Sequence, residues 1–200
     1  MNAINEIIDK KIKNNELVII ELGPGEIKKD NRAIGIDICE KSSVDYRTDL
    51  TKGLIFLENN SVDIIHAYHF LEHLEDLEFF MSEIFRVLKK NGRLIGTVPH
   101  FSNPYFYSDY THKSLWGLYT LSYFTKNNLF KRTVPKYYNS IEFYQADIQI
   151  IFASPFRFRN IIKKIFQKFF NLNRYMQELY EEIFVYLFPC YEIYFELEKR

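Results

Sequence analysis

A glycine turn and a carboxylate near the N-terminus have the residue types and spacing of a nucleoside-binding site. Glu21-Leu22-Gly23-Pro24-Gly25 interrupts the β-branched apolar run of residues 18–22. Glycine lets the backbone approach a ligand closely, and proline stiffens the loop. Asp37 ends a second apolar run, twelve residues after Gly25. Backbone donors from the turn and a carboxylate that accepts from ribose hydroxyls together predict a nucleoside pocket.

The glycine spacing argues against two common nucleotide motifs. A dinucleotide fingerprint has a third glycine at position 28, where this chain has Lys28. No Gly-Lys-Ser/Thr follows the turn, which excludes a P-loop. An ordinary strand-to-loop turn is the alternative interpretation, and the position of Asp37 favours the pocket.

All five histidines fall between residues 66 and 112, near predicted strand ends: His66, His69, His73, His100 and His112. His100 directly follows Pro99, which stops the fifth predicted strand. Asp109 and His112 are three residues apart, so one carboxylate can orient one imidazole. We expect residues 100–116 to roof an acceptor pocket, with His100 or His112 as the base. The alternative is that Asp109 and His112 cap a following helix.

The apolar pattern predicts an α/β fold. Strands are predicted at residues 18–22, 33–37, 44–47, 62–66, 93–98, 141–152 and 191–197, and helices at 3–13, 75–90, 157–170 and 174–187. Residues 100–124 are predicted as a loop followed by helix. The short spacing between Leu22 and Ala33 leaves room for about one helical turn. Together these elements predict a doubly wound, Rossmann-like sheet in a three-layer α/β/α arrangement, mostly parallel with an antiparallel C-terminal strand.

Length and composition indicate one cytoplasmic domain over residues 1–200, with a helical insertion at about 155–188. The 26 basic and 26 acidic residues cancel, which argues against nucleic acid as a partner. Cys39 and Cys190 are far apart, as in proteins of a reducing compartment. Glu6 and Asp9 interrupt the apolar N-terminal pattern, which argues against a signal peptide. No uncharged apolar run approaches the ~20 residues that span a bilayer.

A basic, amphipathic segment covers residues 156–170. It combines five cations with an apolar stripe and has no acidic residue. One interpretation is a surface helix whose stripe packs on the sheet. The other is a peripheral membrane contact that presents a lipid-linked acceptor.

Six motifs occur in the order found in one enzyme family: Glu-Leu-Gly-Pro-Gly at 21–25, Gly-Ile-Asp-Ile at 35–38, Thr-Asp-Leu at 48–50, Asn-Ser-Val-Asp-Ile-Ile at 60–65, Leu-Glu-His-Leu at 71–74 and Arg-Val-Leu-Lys-Lys-Asn-Gly-Arg-Leu at 86–94. Over residues 17–124 the chain resembles a class I S-adenosylmethionine-dependent methyltransferase of type 11. It departs from the family at the third glycine and in its short first crossover. A subset of the family shares this shorter form, with a lysine near position 28.

The resemblance implies that S-adenosylmethionine binds to Glu21, Gly23, Pro24, Gly25, Asp37, Ile38, Asp49, Leu50, His66 and Tyr68. Glu21 and the two glycines would line the methionine half of the cofactor, and Asp37 would hold the ribose. Asp49 would accept from the adenine amino group, although a turn or N-cap aspartate is the alternative. His66 and Tyr68 would border the sulfonium.

The motifs say less about which residues bind the methyl acceptor. His69, Tyr105 and Tyr107 are predicted to contact the substrate. Glu72-His73 resembles a metal-binding pair of a few related methyltransferases, but the tetrapeptide is common without metal. We therefore assign no metal and give His73 a packing or orienting role.

These observations predict an enzyme that O-methylates a small molecule or a cell-surface glycan precursor. The alternatives are an N-methyltransferase acting on a small amine or protein, and a non-catalytic cofactor-binding partner subunit. An intact pocket on the methyl side favours the enzyme. The sequence does not specify an oligomeric state.

Overall fold

A seven-stranded sheet organises the computed structural model, which describes residues 3–135 and 141–200. In chain order the strands are β1 (Ile19–Leu22), β2 (Ile34–Asp37), β3 (Tyr46–Arg47), β4 (Val62–Tyr68), β5 (Leu88–Pro99), β6 (Tyr144–Ile151) and β7 (Glu192–Glu198). Their order across the sheet is β3-β2-β1-β4-β5-β7-β6. The first five strands pair in parallel, and β7 pairs antiparallel to both β5 and β6. The predicted Rossmann-like sheet with an antiparallel C-terminal strand is confirmed.

Within the described ranges, four α-helices accompany the strands: α1 (Ala3–Lys13), α2 (Leu77–Val87), α3 (Arg157–Phe170) and α4 (Arg174–Leu179). Helices α3 and α4 lie between β6 and β7, within the range predicted for an insertion. None of the helices in the described part of the chain has the length and apolar composition that a bilayer crossing requires.

The first crossover contains no helix, as the Leu22–Ala33 spacing predicts. A lysine holds this loop instead. The Lys28 ammonium donates to the Ala33 carbonyl oxygen at 3.0 Å and to Asp45 Oδ2 at 2.7 Å. Gly35 lies underneath, where a Cβ would stand 2.1 Å from the Ser43 carbonyl oxygen. Hydrogen bonds from the Lys28 side chain therefore hold the crossover loop, and they take the place of a packed helix.

Three predicted elements differ in the structure. Helix α2 was predicted to reach residue 90 but ends at Val87. Asn91 has a left-handed φ of 63° and lies within β5, not at the end of the helix. Residues 100–124 form 3₁₀ turns at Phe106–Ser108 and Leu121–Phe124, not a regular helix. The last predicted helix is short, because α4 changes to a π-helical turn at Tyr180–Phe184.

The apolar core lies on one face of the sheet. Alternate strand residues such as Ile20, Ile65 and Leu94 join one buried cluster with Ile4 of α1 and Ile84 of α2. Because side chains alternate along a strand, the intervening residues line the other face: Glu21, Ile64, His66, Tyr68, Thr97 and Tyr194. In the described residues, the loop after β1 covers Glu21 on that face. A three-layer fold usually has a helix at this place.

Polar side chains of the insertion cover the outer edge of β6. The Asn171 amide accepts from the Ile150 nitrogen at 3.0 Å and donates to the Ile150 carbonyl oxygen at 2.6 Å. Gln177 Nε2 donates to the Ile148 carbonyl oxygen at 2.9 Å. Unpaired edge strands are sites of intermolecular pairing, so these contacts protect the sheet.

Candidate active site

The glycine turn after β1 has the backbone that only glycine adopts easily. Gly23 and Gly25 have φ values of 61° and 58°. The Gly23 nitrogen donates to the Ile36 carbonyl oxygen at 2.9 Å, which joins the turn to β2. A Cβ on Gly23 would stand 2.8 Å from the Phe70 ring. The turn therefore fits closely between the ends of β2 and β4.

Asp37 lies where the carboxyl ends of three strands converge. Its Oδ2 accepts from the Gly25 nitrogen at 3.3 Å and its Oδ1 from the Cys39 nitrogen at 3.1 Å. The Thr48 nitrogen donates to the Asp37 carbonyl oxygen at 3.0 Å. Ligands of open α/β sheets bind at this edge. The structure thus brings Asp37 and the glycine turn together, as the nucleoside-pocket prediction requires.

Asp49 caps the 3₁₀ turn at Leu50–Lys52. Its Oδ1 accepts from the Thr51 nitrogen at 3.0 Å and from Thr51 Oγ at 2.7 Å, and these bonds lower the pKa of the carboxyl group. The N-cap aspartate, which was the alternative prediction for Asp49, is therefore present. Contact between Asp49 and adenine stays a prediction. Ile38, beside this turn, is 58% exposed and offers an apolar surface.

Two carboxylates give the face around His66 a negative charge. Glu21 is buried, and both of its oxygens accept from the Lys29 nitrogen at 2.9 Å. Asp30 Oδ2 lies 3.9 Å from His66 Nε2, and hydrogen bonds from Arg32 hold the pKa of Asp30 at about 2. Burial lowers the pKa of His66. Around a neutral imidazole, these carboxylates favour a cationic ligand such as a sulfonium or an α-ammonium group.

One residue of this group, Asp30, was not predicted from the sequence. Tyr68 OH lies 3.2 Å from His66 Nδ1, so the two residues predicted beside the sulfonium are in contact. Asp30 joins them because the first crossover loop folds back over β1. Its position, seven residues from Asp37 and outside any motif, gave no signal in the sequence.

His69 follows β4 with a left-handed backbone (φ 53°) and lies between two carboxylates. Its Nε2 is 2.7 Å from Glu192 Oε2, and its Nδ1 is 3.3 Å from Glu72 Oε1. Burial alone would lower the pKa of His69, but the hydrogen bond to Glu192 and the ion pair with Glu72 outweigh it and raise the pKa to about 9. His69 is therefore an imidazolium at neutral pH. Glu192 is on β7, far from every motif.

His100 is fully buried and faces the interior. Its Nδ1 is 2.8 Å from Ser102 Oγ, and its Nε2 is 3.4 Å from Glu181 Oε2. The rings of Phe101 and Tyr180 pack against it. Both ring nitrogens therefore contact protein groups, and we assign His100 a structural role.

His112 has the geometry of an oriented imidazole. Its Nδ1 lies 3.0 Å from the Phe106 carbonyl oxygen and donates to it, which leaves Nε2 as the nitrogen that could accept a proton. Asp109 Oδ2 is 3.6 Å from Nε2. Asp109 also accepts from the Thr111 nitrogen at 2.9 Å, which closes a local turn and does not cap a helix.

A backbone hydrogen bond brings Glu72, His73 and His112 together in one cluster. The Lys113 nitrogen donates to the Glu72 carbonyl oxygen at 2.8 Å, and the two histidine rings lie 4.9 Å apart. One donor atom from each of the three residues falls within 4.8 Å of the others, a donor set that suits a divalent cation. Glu72 is fully buried, and its nearest cation in the described residues is His69. Neither carboxylate oxygen of Glu72 has a hydrogen-bond partner in the described residues.

Two cavities adjoin these side chains. One of about 580 Å³ is lined by Thr51, His73, Phe79, Thr111 and Lys113 among others, and so lies between the Asp49 turn and His73. A second, of about 460 Å³, lies between Tyr105, Tyr191 and residues 153–155. Tyr105 and Tyr107 are both largely exposed, and Tyr107 OH donates to the Phe101 carbonyl oxygen at 2.8 Å.

Comparison with known proteins agrees with this geometry. A family model described as a methyltransferase domain matches residues 11–96, which include the glycine turn, Asp37 and the strand that carries His66. Over these residues the chain matches a methyltransferase domain, and the prediction of a class I S-adenosylmethionine-dependent methyltransferase is confirmed. The chain is an enzyme of that class, and its cofactor is S-adenosylmethionine. Among proteins with curated descriptions, none matches this methyltransferase.

Solved structures similar to this methyltransferase share its fold at low sequence identity. A S-adenosylmethionine-dependent methyltransferase from Archaeoglobus fulgidus is 17% identical, with 98% of this chain and 94% of that chain covered and a TM-score of 0.56. A putative methyltransferase from Bacillus halodurans is 17% identical, with coverage of 97% and 99% and a TM-score of 0.52. Phosphoethanolamine N-methyltransferase 2 from Haemonchus contortus, in complex with S-adenosylmethionine, is also 17% identical, with coverage of 97% and 52% and a TM-score of 0.54.

Proposed function

We propose that this methyltransferase transfers the methyl group to a hydroxyl oxygen of a small molecule or cell-surface glycan precursor. The observation that carries the proposal is the Asp109–His112 pair. The Nδ1 of His112 lies 3.0 Å from the Phe106 carbonyl oxygen, and its Nε2 lies 3.6 Å from the Asp109 carboxylate. A hydroxyl acceptor gains most from such a base, because it must lose its proton during transfer.

The cofactor would lie across the carboxyl ends of β1, β2 and β4. Asp37 would accept from the ribose hydroxyls, and the Glu21–Asp30 charge would hold the cationic methionine half. S-adenosylmethionine supplies the reactive methyl group, and the protein supplies alignment of the acceptor with the sulfonium. Alignment alone can lower the barrier by roughly 7–11 kcal/mol.

The acceptor would enter through the cavity of about 580 Å³ that His73 and Thr111 line. His112 Nε2 would take the hydroxyl proton as the oxygen attacks the methyl carbon. Asp109 would stabilise the resulting imidazolium.

The test is the identity of the methylated atom. Purified protein is incubated with methyl-labelled S-adenosylmethionine and a panel of sugars, hydroxylated aromatics, carboxylic acids and amines. Product NMR then locates the label. We expect it on a hydroxyl oxygen, with turnover lost in His112→Ala. Label on nitrogen would overturn the proposal in favour of an N-methyltransferase. Cofactor binding without transfer to any member of the panel would favour a non-catalytic subunit.

A further inference from the structure

Helix α3 turns its apolar side away from the protein. Phe158, Ile161 and Ile165 are 75%, 58% and 62% exposed, and Ile162 and Phe169 are also exposed. Ile161, Ile165 and Phe169 follow one another at intervals of four residues, so they form one continuous stripe along the helix. An amphipathic surface helix normally buries this stripe against the core. Here the stripe faces solvent.

The opposite side of α3 is attached to the body by polar groups. Asn160 Oδ1 accepts from the Ser154 nitrogen at 3.1 Å, and Gln167 Oε1 accepts from the Phe152 nitrogen at 3.2 Å. The Lys163 ammonium donates to the Pro189 carbonyl oxygen at 3.1 Å. These bonds, with the buried Phe170 ring, fix the rotation of the helix about its axis. The outward direction of the stripe is therefore set by specific contacts.

A row of cations borders the stripe. Arg157, Lys164 and Lys168 are exposed and lie seven and four residues apart, which places them along one side of the apolar residues. The helix contains no acidic residue. A cationic row beside an exposed apolar stripe is the arrangement of helices that lie in the interface of an anionic bilayer.

The apolar surface continues beyond α3. Leu187 lies beside Ile162 at the rim of a groove of about 220 Å³, and Tyr186 and Leu187 are 83% and 68% exposed. Exposed apolar patches of this extent are rare on monomeric proteins without a partner. A nucleic acid would engage the cations and leave the apolar stripe in water, whereas a lipid surface engages both.

We propose that this docking surface, formed by residues 156–170 together with Tyr186 and Leu187, binds an anionic lipid bilayer. The apolar side chains enter the boundary between headgroups and acyl chains, and the cations meet lipid phosphates. Residues 153–155, which precede the helix, adjoin Tyr105 at the cavity of about 460 Å³. Docking would therefore place the predicted acceptor roof next to the membrane. The binding step is independent of the proposed O-methylation.

Vesicle flotation with the full chain tests the proposal. Vesicles contain phosphatidylcholine alone or with about one-third phosphatidylglycerol. We expect binding to the anionic vesicles that weakens with added salt. The double variant Ile161→Glu/Ile165→Glu should lower the partition coefficient at least tenfold. Lys164→Gln/Lys168→Gln should lower it about fivefold for each lysine.

Matched controls separate docking from misfolding. Ile55→Glu changes an isoleucine outside the surface that is 76% exposed, and Lys126→Gln removes an exposed cation elsewhere. Both should bind vesicles as the wild type does. All variants should retain the wild-type circular dichroism and S-adenosylmethionine affinity. No binding to anionic vesicles would overturn the proposal, as would a stable dimer in light scattering that Ile161→Glu/Ile165→Glu dissociates.

Discussion

His69 and Glu192 join the loop after β4 to the last strand, with 2.7 Å between Nε2 and Oε2. The pKa of His69 rises to about 9, above its ordinary value near 6.5. The stabilisation is therefore fully present below about pH 6.5 and is lost as the pH rises through 9. We expect Glu192→Gln to lower the free energy of unfolding by about 1 kcal/mol at pH 6, because solvent screens the partly exposed ring.

Urea unfolding from pH 6 to pH 10 measures this effect. The difference between wild type and Glu192→Gln should shrink as the pH rises. Glu196→Gln, on the same strand, provides the control, since its partner is Arg93 and does not titrate in this range. A difference for Glu192→Gln that stays constant across the range would contradict the assignment of charge to His69.

Asp37→Ala should weaken S-adenosylmethionine binding at least tenfold. Charge-assisted hydrogen bonds to a ligand are worth about 1.5–3 kcal/mol each. Calorimetry gives the affinity directly. Glu40→Ala, which removes a highly exposed carboxylate three residues away, should bind as the wild type does. An unchanged affinity in Asp37→Ala would remove Asp37 from the ribose site.

His112→Ala should lower kcat by about 10²–10⁴ with little effect on cofactor affinity, because it removes a proton acceptor. Asp109→Asn should reduce kcat less, because it leaves the proton acceptor in place. The measurement is a pH–rate profile with the acceptor found in the labelling experiment. Turnover of His112→Ala within threefold of wild type would show that the acceptor ionises unaided, as a carboxylate or amine does.

His100→Ala should act on stability instead. The ring is buried against Glu181, so its removal leaves a carboxylate poorly compensated and opens a cavity. Such changes cost about 2–4 kcal/mol. Chemical unfolding should show this loss, while kcat below the unfolding transition stays within threefold. A large loss of kcat with unchanged stability would return His100 to the reaction.

Chelators should leave turnover unchanged, because the His69 imidazolium already lies beside the buried Glu72 carboxylate. Protein dialysed against EDTA is compared with protein supplied with Zn²⁺ or Mn²⁺. If metal restored lost activity, and Glu72→Gln abolished that rescue, the Glu72–His73–His112 cluster would be a metal site and His112 a ligand rather than a base.

The sequence by itself determined the sheet and the glycine turn. Apolar runs, the Gly-Pro-Gly break and the short Leu22–Ala33 spacing act over a few residues, where propensity and sterics decide the backbone. The convergence of Asp37 with Gly25 also followed, because the carboxyl ends of neighbouring parallel strands meet at one edge.

Only the tertiary structure decided which side chains meet across long separations and which side of α3 faces outward. His69 and Glu192 are 123 residues apart and share no local pattern. The periodicity of α3 located an apolar stripe but carried no information about what covers it. The side chains of Asn160 and Gln167 accept from backbone nitrogens, and Lys163 donates to a backbone carbonyl oxygen; these bonds fixed the direction of the stripe, because buried polar groups must find partners.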